Sequence, residues 1–414
     1  MHLSHRVQSL ASSATLAVNA RIKELQAEGV DVIGFGAGEP DFDTPQNIKD
    51  AAIAALNAGM TKYAPVPGEP AAREAIANKL RQDNGIRCSA KDIVISVGGK
   101  HSIYLALQCL LDGPRNANDP PQEVILPTPA WVSYEPMVQL AGGAAVQVAG
   151  AVERDFLITA EQLEAAITPR TRAFIINSPS NPCGTMYSPQ QLRELAAVLA
   201  MHPNVVVISD EMYEKLIYGD VPHFSLGSVE SIADRVVTVG GMSKAFAMTG
   251  WRIGYACAPG PLAAAMSKLQ GQMTSNITSF CYPAIVEAFT SPRSAESVEV
   301  MRRAFAARAK LICRWMDEMP GLRCPNPTGA FYVFPDVSAY FGGRSPGGRL
   351  INSALDFAAA LLEEARVAVV PGEDFGEVGR SHVRLSFACS EAHVEEGCRR
   401  MKDWLEKMAT AVMR

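Results

Sequence analysis

The sequence predicts an α/β protein: a large domain with a mostly parallel sheet covered by helices, and a smaller α+β domain beside it. Three observations lead there. The chain has 414 residues, too many for one small core and ordinary for two domains. Seven short apolar runs recur between residues 93 and 259. Several are continuous and β-branched, as strands buried on both faces are. From about residue 292 that rhythm gives way to longer helical stretches.

Taken in order, AVNARIKELQAEG (17–29) begins the first substantial helix, and residues 46–80 read as helix, a Gly- and Pro-rich loop at 64–70, then helix. The strands are IVISV (93–97), EVILP (123–127), AAVQVAG (144–150), AFIINSP (173–179), VVVISD (205–210), RVVTVGG (235–241) and RIGYACAP (252–259). Between them, SPQQLRELAAVLA (188–200) carries a capping box, with Ser188 as N-cap and Gln191 three residues on. Later come helix 295–319, strand-like AFYVF (330–334), helix 353–365, the runs VAVVPG and HVRLSFA, and a terminal helix. The expected division is 46–291 for the large domain, with 1–45 and 292–414 forming the small one. The loop PRNANDPPQ (114–122) reads as a solvated insertion.

Composition narrows the function. A net charge of −5 argues against a nucleic-acid-binding surface. No apolar run approaches the ~18 residues of a membrane span. Arg6 followed by SLASSATLAVNA mimics a signal peptide but lacks a solid apolar centre. Nine scattered cysteines with no C-x-x-C suggest buried apolar thiols, no disulfide framework and a cytoplasmic location. The seven histidines show no metal-ligand spacing, so no metal is expected. No G-x-G-x-x-G joins a strand to a helix, which argues against a dinucleotide site.

Ligands of open parallel sheets sit at the carboxyl ends of strands, and three such ends carry polar groups. AFIINSP leads to Asn181; taken alone, Asn-Pro is an ordinary turn. VVVISD ends in Asp210, which needs a partner or the role of a helix N-cap; Tyr213 follows three residues later. RVVTVGG leads to Lys244, with Arg252 eight residues beyond, and two cations around a tight loop suggest an anion between them. Together these groups suit pyridoxal 5′-phosphate (PLP). That cofactor needs a lysine amine for a Schiff base, a carboxylate for its pyridinium nitrogen, donors to its 3′-oxygen and a phosphate site.

At these segments the chain resembles class I aminotransferases of PLP-dependent fold type I, nearest to the bacterial aspartate aminotransferase branch. The ordered set is GAGEPDFDTP (36–45), TKYAPVPG (61–68), VGGKHSIYL (97–105), PTPAWVSYEPM (127–137), NSPSNPCGT (177–185), SDEMYE (209–214), MSKAFAMTGWRIGYA (242–256) and VRLSFA (383–388). The resemblance implies that Lys244 forms the Schiff base and shuttles the proton, and that Asp210 pairs with the pyridinium nitrogen. It implies that Tyr213 and Asn181 bond the 3′-oxygen and that Trp131 stacks on the ring. Gly98, Gly99, Lys100 and Arg252 would receive the phosphate. Arg384 would grip the substrate α-carboxylate, with Asn181 and Trp131 beside the substrate, and Gly38 would contact it through its backbone. Tyr63 would reach the phosphate of a neighbouring subunit, making a homodimer.

Lys100, with Ser13 and Thr15, resembles residues that hold a dicarboxylic substrate, which favours L-aspartate and 2-oxoglutarate in a ping-pong reaction. The alternative for Lys100 is an ordinary helix-start lysine near the phosphate. LASSAT (10–15) replaces the Lys-Pro of prephenate-using members, and Cys183 stands where Thr is usual. Alternatives are the same fold acting on prephenate, aromatic substrates or alanine, a β-lyase, or, more remotely, a non-catalytic PLP-binding sensor.

Overall fold

The computed structural model describes residues 1–414 except 9, 11–13, 115, 117–118 and 413–414, and except the side chains of 5, 14–17, 19 and 409–412. The chain opens with α1 (His5–Gln8), α2 (Ala14–Ala27), β1 (Ile33–Gly34), α3 (Gln46–Asn57) and α4 (Pro70–Asp83). Pro70 starts α4 where its fixed φ suits the first turn and its missing N–H costs nothing.

A central sheet follows: β2 (Ile93–Ser96), α5 (Gly99–Leu110), β3 (Glu123–Thr128), α6 (Tyr134–Leu140), β4 (Ala144–Ala149), α7 (Ala160–Ala166), β5 (Thr171–Asn177), α8 (Pro189–Met201), β6 (Val206–Asp210), β7 (Val236–Gly241) and β8 (Gly254–Cys257). All seven expected runs become its strands, in the order β2-β8-β7-β6-β5-β3-β4. β7, β6, β5, β3 and β4 are mutually parallel, and β8 runs against both β7 and β2. The last strand starts at Gly254 rather than 252 because Arg252 takes a left-handed φ of 57°. The α8 capping box forms: Ser188 Oγ accepts from Gln191 N at 3.2 Å, and Gln191 Oε1 from Ser188 N at 2.8 Å.

Beyond the sheet come α9 (Gly260–Met273), α10 (Tyr282–Thr290), α11 (Pro292–Glu318), β9 (Tyr332–Val333), α12 (Ala354–Ala365), β10 (Val367–Ala368), β11 (Val370–Pro371), β12 (Val383–Ser386) and α13 (Glu391–Val412). β11, β12 and β9 form a small antiparallel sheet, and β1 pairs in parallel with β10. The run 330–334 is shorter than its composition suggests, since Ala330 has φ 55° and leaves the extended region. Phe35, Phe305, Phe331, Phe357, Phe387 and Trp404 share one buried core between α11, α12, α13 and β12. Among the described residues no helix is long and apolar enough to cross a membrane. All nine cysteines are free; only Cys183, Cys257, Cys281 and Cys398 are buried, so the thiols are less buried than expected. Cys183 packs against Phe156, Phe334, Val370 and Phe375, where a small apolar group suffices.

Candidate active site

Parallel registry puts Asn177 beside Asp210 and Asp210 beside Val239, so the ends of β5, β6 and β7 open at one level. A cavity of about 340 Å³ lies there, lined by Gly38, Gly99, Lys100, Trp131, Asn181, Asp210, Tyr213, Lys244, Arg252 and Arg384 among others. Ten residues singled out in the sequence therefore meet in one place. A larger groove of about 960 Å³ shares Lys100 and Trp131 with it.

The Asp210 carboxylate is buried and accepts hydrogen bonds from Tyr134 Oη at 2.6 Å and from Met212 N at 3.2 Å. Burial raises its pKa to about 6, against the pull of those two bonds. Lys244 lies in the turn after β7 and donates to the Gly38 carbonyl. Burial lowers its ammonium to about 8; Glu39 opposes that shift, and Arg384 and Arg252 add to it. A buried amine and a buried acid with pKa values drawn toward neutrality mark a site prepared for proton transfer.

Gly98 precedes α5 with φ 83°, which favours glycine, and a Cβ there would lie 2.5 Å from Arg252 Nη2. The first amides of the α5 ladder, His101 and Ser102, donate to Gly98 O. The Gly99 and Lys100 N–H groups stand ahead of that ladder, and both residues line the cavity together with Arg252, an arrangement suited to an anion. Arg252 is steadied by an Nη1 bond to Thr249 O at 2.7 Å.

Arg384 projects from β12 and is 2 % exposed. Its Nη1 donates to Asn181 Oδ1 at 3.0 Å and its Nη2 to Gly36 O at 2.8 Å, while buried Nε has no partner. Tyr332 and Phe375 flank the guanidinium at 4.8 and 5.3 Å from their ring centres. Tyr213 Oη bonds Tyr332 Oη at 2.9 Å. Gly38 is required by close approach: a Cβ there would sit 2.6 Å from that Tyr332 hydroxyl. Lys100 Nζ lies 4.9 Å above the Trp131 ring.

The family model for aminotransferase class I and II matches residues 30–401. The chain is 46% identical over 410 residues to the aspartate aminotransferase of Geobacillus stearothermophilus, covering 99% of this chain and 100% of that one. The chain belongs to the class I and II aminotransferases. It is equally 46% identical to the aspartate/prephenate aminotransferase of Cereibacter sphaeroides, over 97% of this chain and 98% of that one. The structure of the Thermus thermophilus aspartate aminotransferase with maleate superposes with a TM-score of 0.90 at 42% identity, covering 98% of this chain and 100% of that one.

This aminotransferase is PLP-dependent, and its cavity fits the cofactor. The buried Lys244 amine, the buried Asp210 acid and the Gly98–Lys100 cradle with Arg252 offer an imine partner, a pyridinium partner and a phosphate seat around one space.

Of the other predicted residues, only one can be placed apart from the cavity. Tyr63 is 92% exposed and does not line the cavity. Ser13 lies outside the described residues, and Thr15 falls in α2 with its side chain outside them. Sequence reasoning missed Tyr134, Tyr332 and Asn177. Tyr134 is three residues after Trp131 in a segment already marked by its strand end, so that position was a usable signal. Tyr332 carried none, because it reads as one more apolar strand residue.

Proposed function

We propose that this aminotransferase moves the amino group of L-aspartate to 2-oxoglutarate. The observation that carries the proposal is a pair of cations, Arg384 and Lys100, lining one cavity, suited to the two carboxylates of a dicarboxylic acid. Relatives named for aspartate support it, as does a structural neighbour described with maleate, itself a small dicarboxylate.

Bound PLP supplies an electron sink for the substrate's α-carbon. Lys244 Nζ would hold its carbonyl carbon and move the α-proton; an ammonium near 8 makes the neutral amine accessible at neutral pH. Asp210 would keep a proton on the ring nitrogen. Tyr213 and Asn181 would hold the 3′-oxygen, Trp131 would cover the ring, and Gly98, Gly99, Lys100 and Arg252 would seat the phosphate. Arg384, with Nε unpartnered, has donors left for the α-carboxylate, and Gly38 would border the substrate. Tyr63 would complete the phosphate seat of a second copy in a homodimer. Residues 46–291 would form the large domain, and 1–45 with 292–414 the small one. Nine free thiols support a reducing cytoplasm.

The prephenate reading rests on relatives named aspartate/prephenate aminotransferase, against the absence of Lys-Pro at residues 10–15, of which 11–13 lie outside the described residues. The test is the visible spectrum of the PLP-loaded protein. Bleaching by L-aspartate with recovery on 2-oxoglutarate is expected; bleaching by L-alanine or L-phenylalanine alone would remove Lys100 from its role. Prephenate turnover rivalling that of aspartate would overturn the preference.

A further inference from the structure

Behind Asp210 the strand turns its neighbours away from the cavity, because successive side chains alternate faces. Ser209 Oγ donates to Glu211 Oε1 at 2.9 Å, and Ser225 Oγ to the same oxygen at 2.7 Å. Glu211 Oε2 accepts from Asn84 Nδ2 at 3.0 Å and meets His223 Nε2 at 3.0 Å. Glu214 accepts from Asn84 Nδ2 at 2.7 Å, lies 4.0 Å from His223 Nε2 and pairs with Lys79, which also donates to Asn84 Oδ1 at 2.8 Å.

Glu211, Glu214 and His223 are close enough together to suggest a metal site. The Lys79 ammonium and the Asn84 amide already engage these carboxylates, so the cluster reads instead as a charge balance. Two buried carboxylates face one ammonium, which leaves one negative charge, and uncompensated buried charge is costly. The groups facing His223 are Glu211 and Glu214 from the turn after β6 and Lys79 from α4. Around them lie the Lys215–Asp83 ion pair and the buried Tyr255 of β8. Buried His223 Nδ1 has no partner, so the acids on its Nε2 side decide its charge.

We propose that His223 is a positioning residue: as an imidazolium shared by Glu211 and Glu214, it completes a neutral buried network that fixes the turn carrying Asp210 and Tyr213. The network grips this turn at both ends and ties it to the end of α4. Burial alone would discharge the histidine, but the Glu211 bond and both acid charges outweigh it and raise its pKa. Burial likewise resists ionisation of Glu214, yet Lys79, His223 and Lys215 hold it at about 2. The proposal rests on Asp210 and Tyr213 facing the cofactor.

The first test is nitrogen-15 NMR of the histidine rings in the PLP-loaded wild-type protein. The His223 signal is assigned with His223→Gln or, if that variant aggregates, by contacts to Ser225. At pH 7.5, about one unit above the ordinary histidine value, a doubly protonated ring is expected; a singly protonated ring overturns the proposal. This readout needs no substrate, so it stands even if aspartate proves not to be used. The second test compares His223→Gln with His223→Gln/Glu214→Gln, which restores neutrality. The single variant should lower kcat about tenfold and shift the pH midpoint of the PLP absorbance band by about one unit, with KM little changed. The double variant should recover both to within about threefold. Loss in the double variant equal to or greater than in the single variant would mean that His223 acts by packing alone.

Discussion

Tyr134 Oη donates a 2.6 Å hydrogen bond to Asp210 Oδ2, joining the first turn of α6 to the end of β6 across the cavity wall. It is one of two bonds that restrain a carboxyl which burial raises to about 6. Tyrosine at 134 thus favours the charged form of the acid proposed to face the cofactor's ring nitrogen.

Replacing Tyr134 by Phe should raise the Asp210 pKa further and weaken PLP binding. A hydrogen bond to a charged group contributes about 1.5–3 kcal/mol, so kcat/KM should fall roughly 10- to 100-fold. Titrating PLP into the variant separates a binding effect from a chemical one. Wild-type affinity and wild-type kcat/KM together would show that the bond is incidental.

Arg384→Lys keeps the charge but not the fork. Asn181 Oδ1 and Gly36 O accept from separate guanidinium nitrogens, and one ammonium on a flexible stem cannot meet both and also bind a carboxylate. The expected result is a rise in KM for both amino and oxo acid of about 100-fold, equivalent to roughly 2.7 kcal/mol, with PLP affinity changed far less. Steady-state kinetics with both substrates checks it. A KM within a few-fold of wild type would place the α-carboxylate elsewhere.

Much of this site was legible in the sequence because parallel sheets present their strand ends to ligands, and Asn181, Asp210 and Lys244 each follow a buried run. Strand ends were less legible where one backbone angle decides them, as at Arg252 and Ala330. The partners of Glu211 were hidden for another reason. Asn84 lies 127 positions away, and only the packing of α4 against the turn after β6 brings them together. Tyr332 was hidden by chemistry: its hydroxyl reaches Tyr213, while its ring reads as strand core.

Asp210 also makes a stability prediction for the PLP-free protein. Its folded value of about 6 lies above the ordinary 3.8, so the folded state binds the extra proton between those values. Stability from this group is fully present below about 3.8 and is lost as pH rises through about 6. Asp210→Asn imitates the protonated form and should therefore raise the melting temperature of the PLP-free protein at pH 8, by up to roughly 2–3 kcal/mol of stability. At pH 4 the advantage should shrink toward zero. The same variant should lose most transamination activity. Parallel melting curves at both pH values check the sign; an advantage independent of pH would refer the effect to packing.

Tyr63 supplies the prediction that separates a monomer from an assembly. It is 92% exposed in a loop between α3 and α4, and the cavity of its own chain does not include it. A tyrosine hydroxyl so placed could serve a phosphate seat only in another copy. If it does, the Tyr63→Phe and Lys244→Ala lesions fall together in one site of a mixed dimer and leave the other free of both. Co-refolding the two inactive or impaired variants would then assemble one site with both wild-type residues, and activity should recover to about one quarter of wild type from statistical mixing, since half the dimers are mixed and each holds one intact site. Each variant refolded alone gives the background, and sedimentation of the mixture confirms the dimer. A mixture no more active than the sum of its parents would place Tyr63 in its own chain's site or in none.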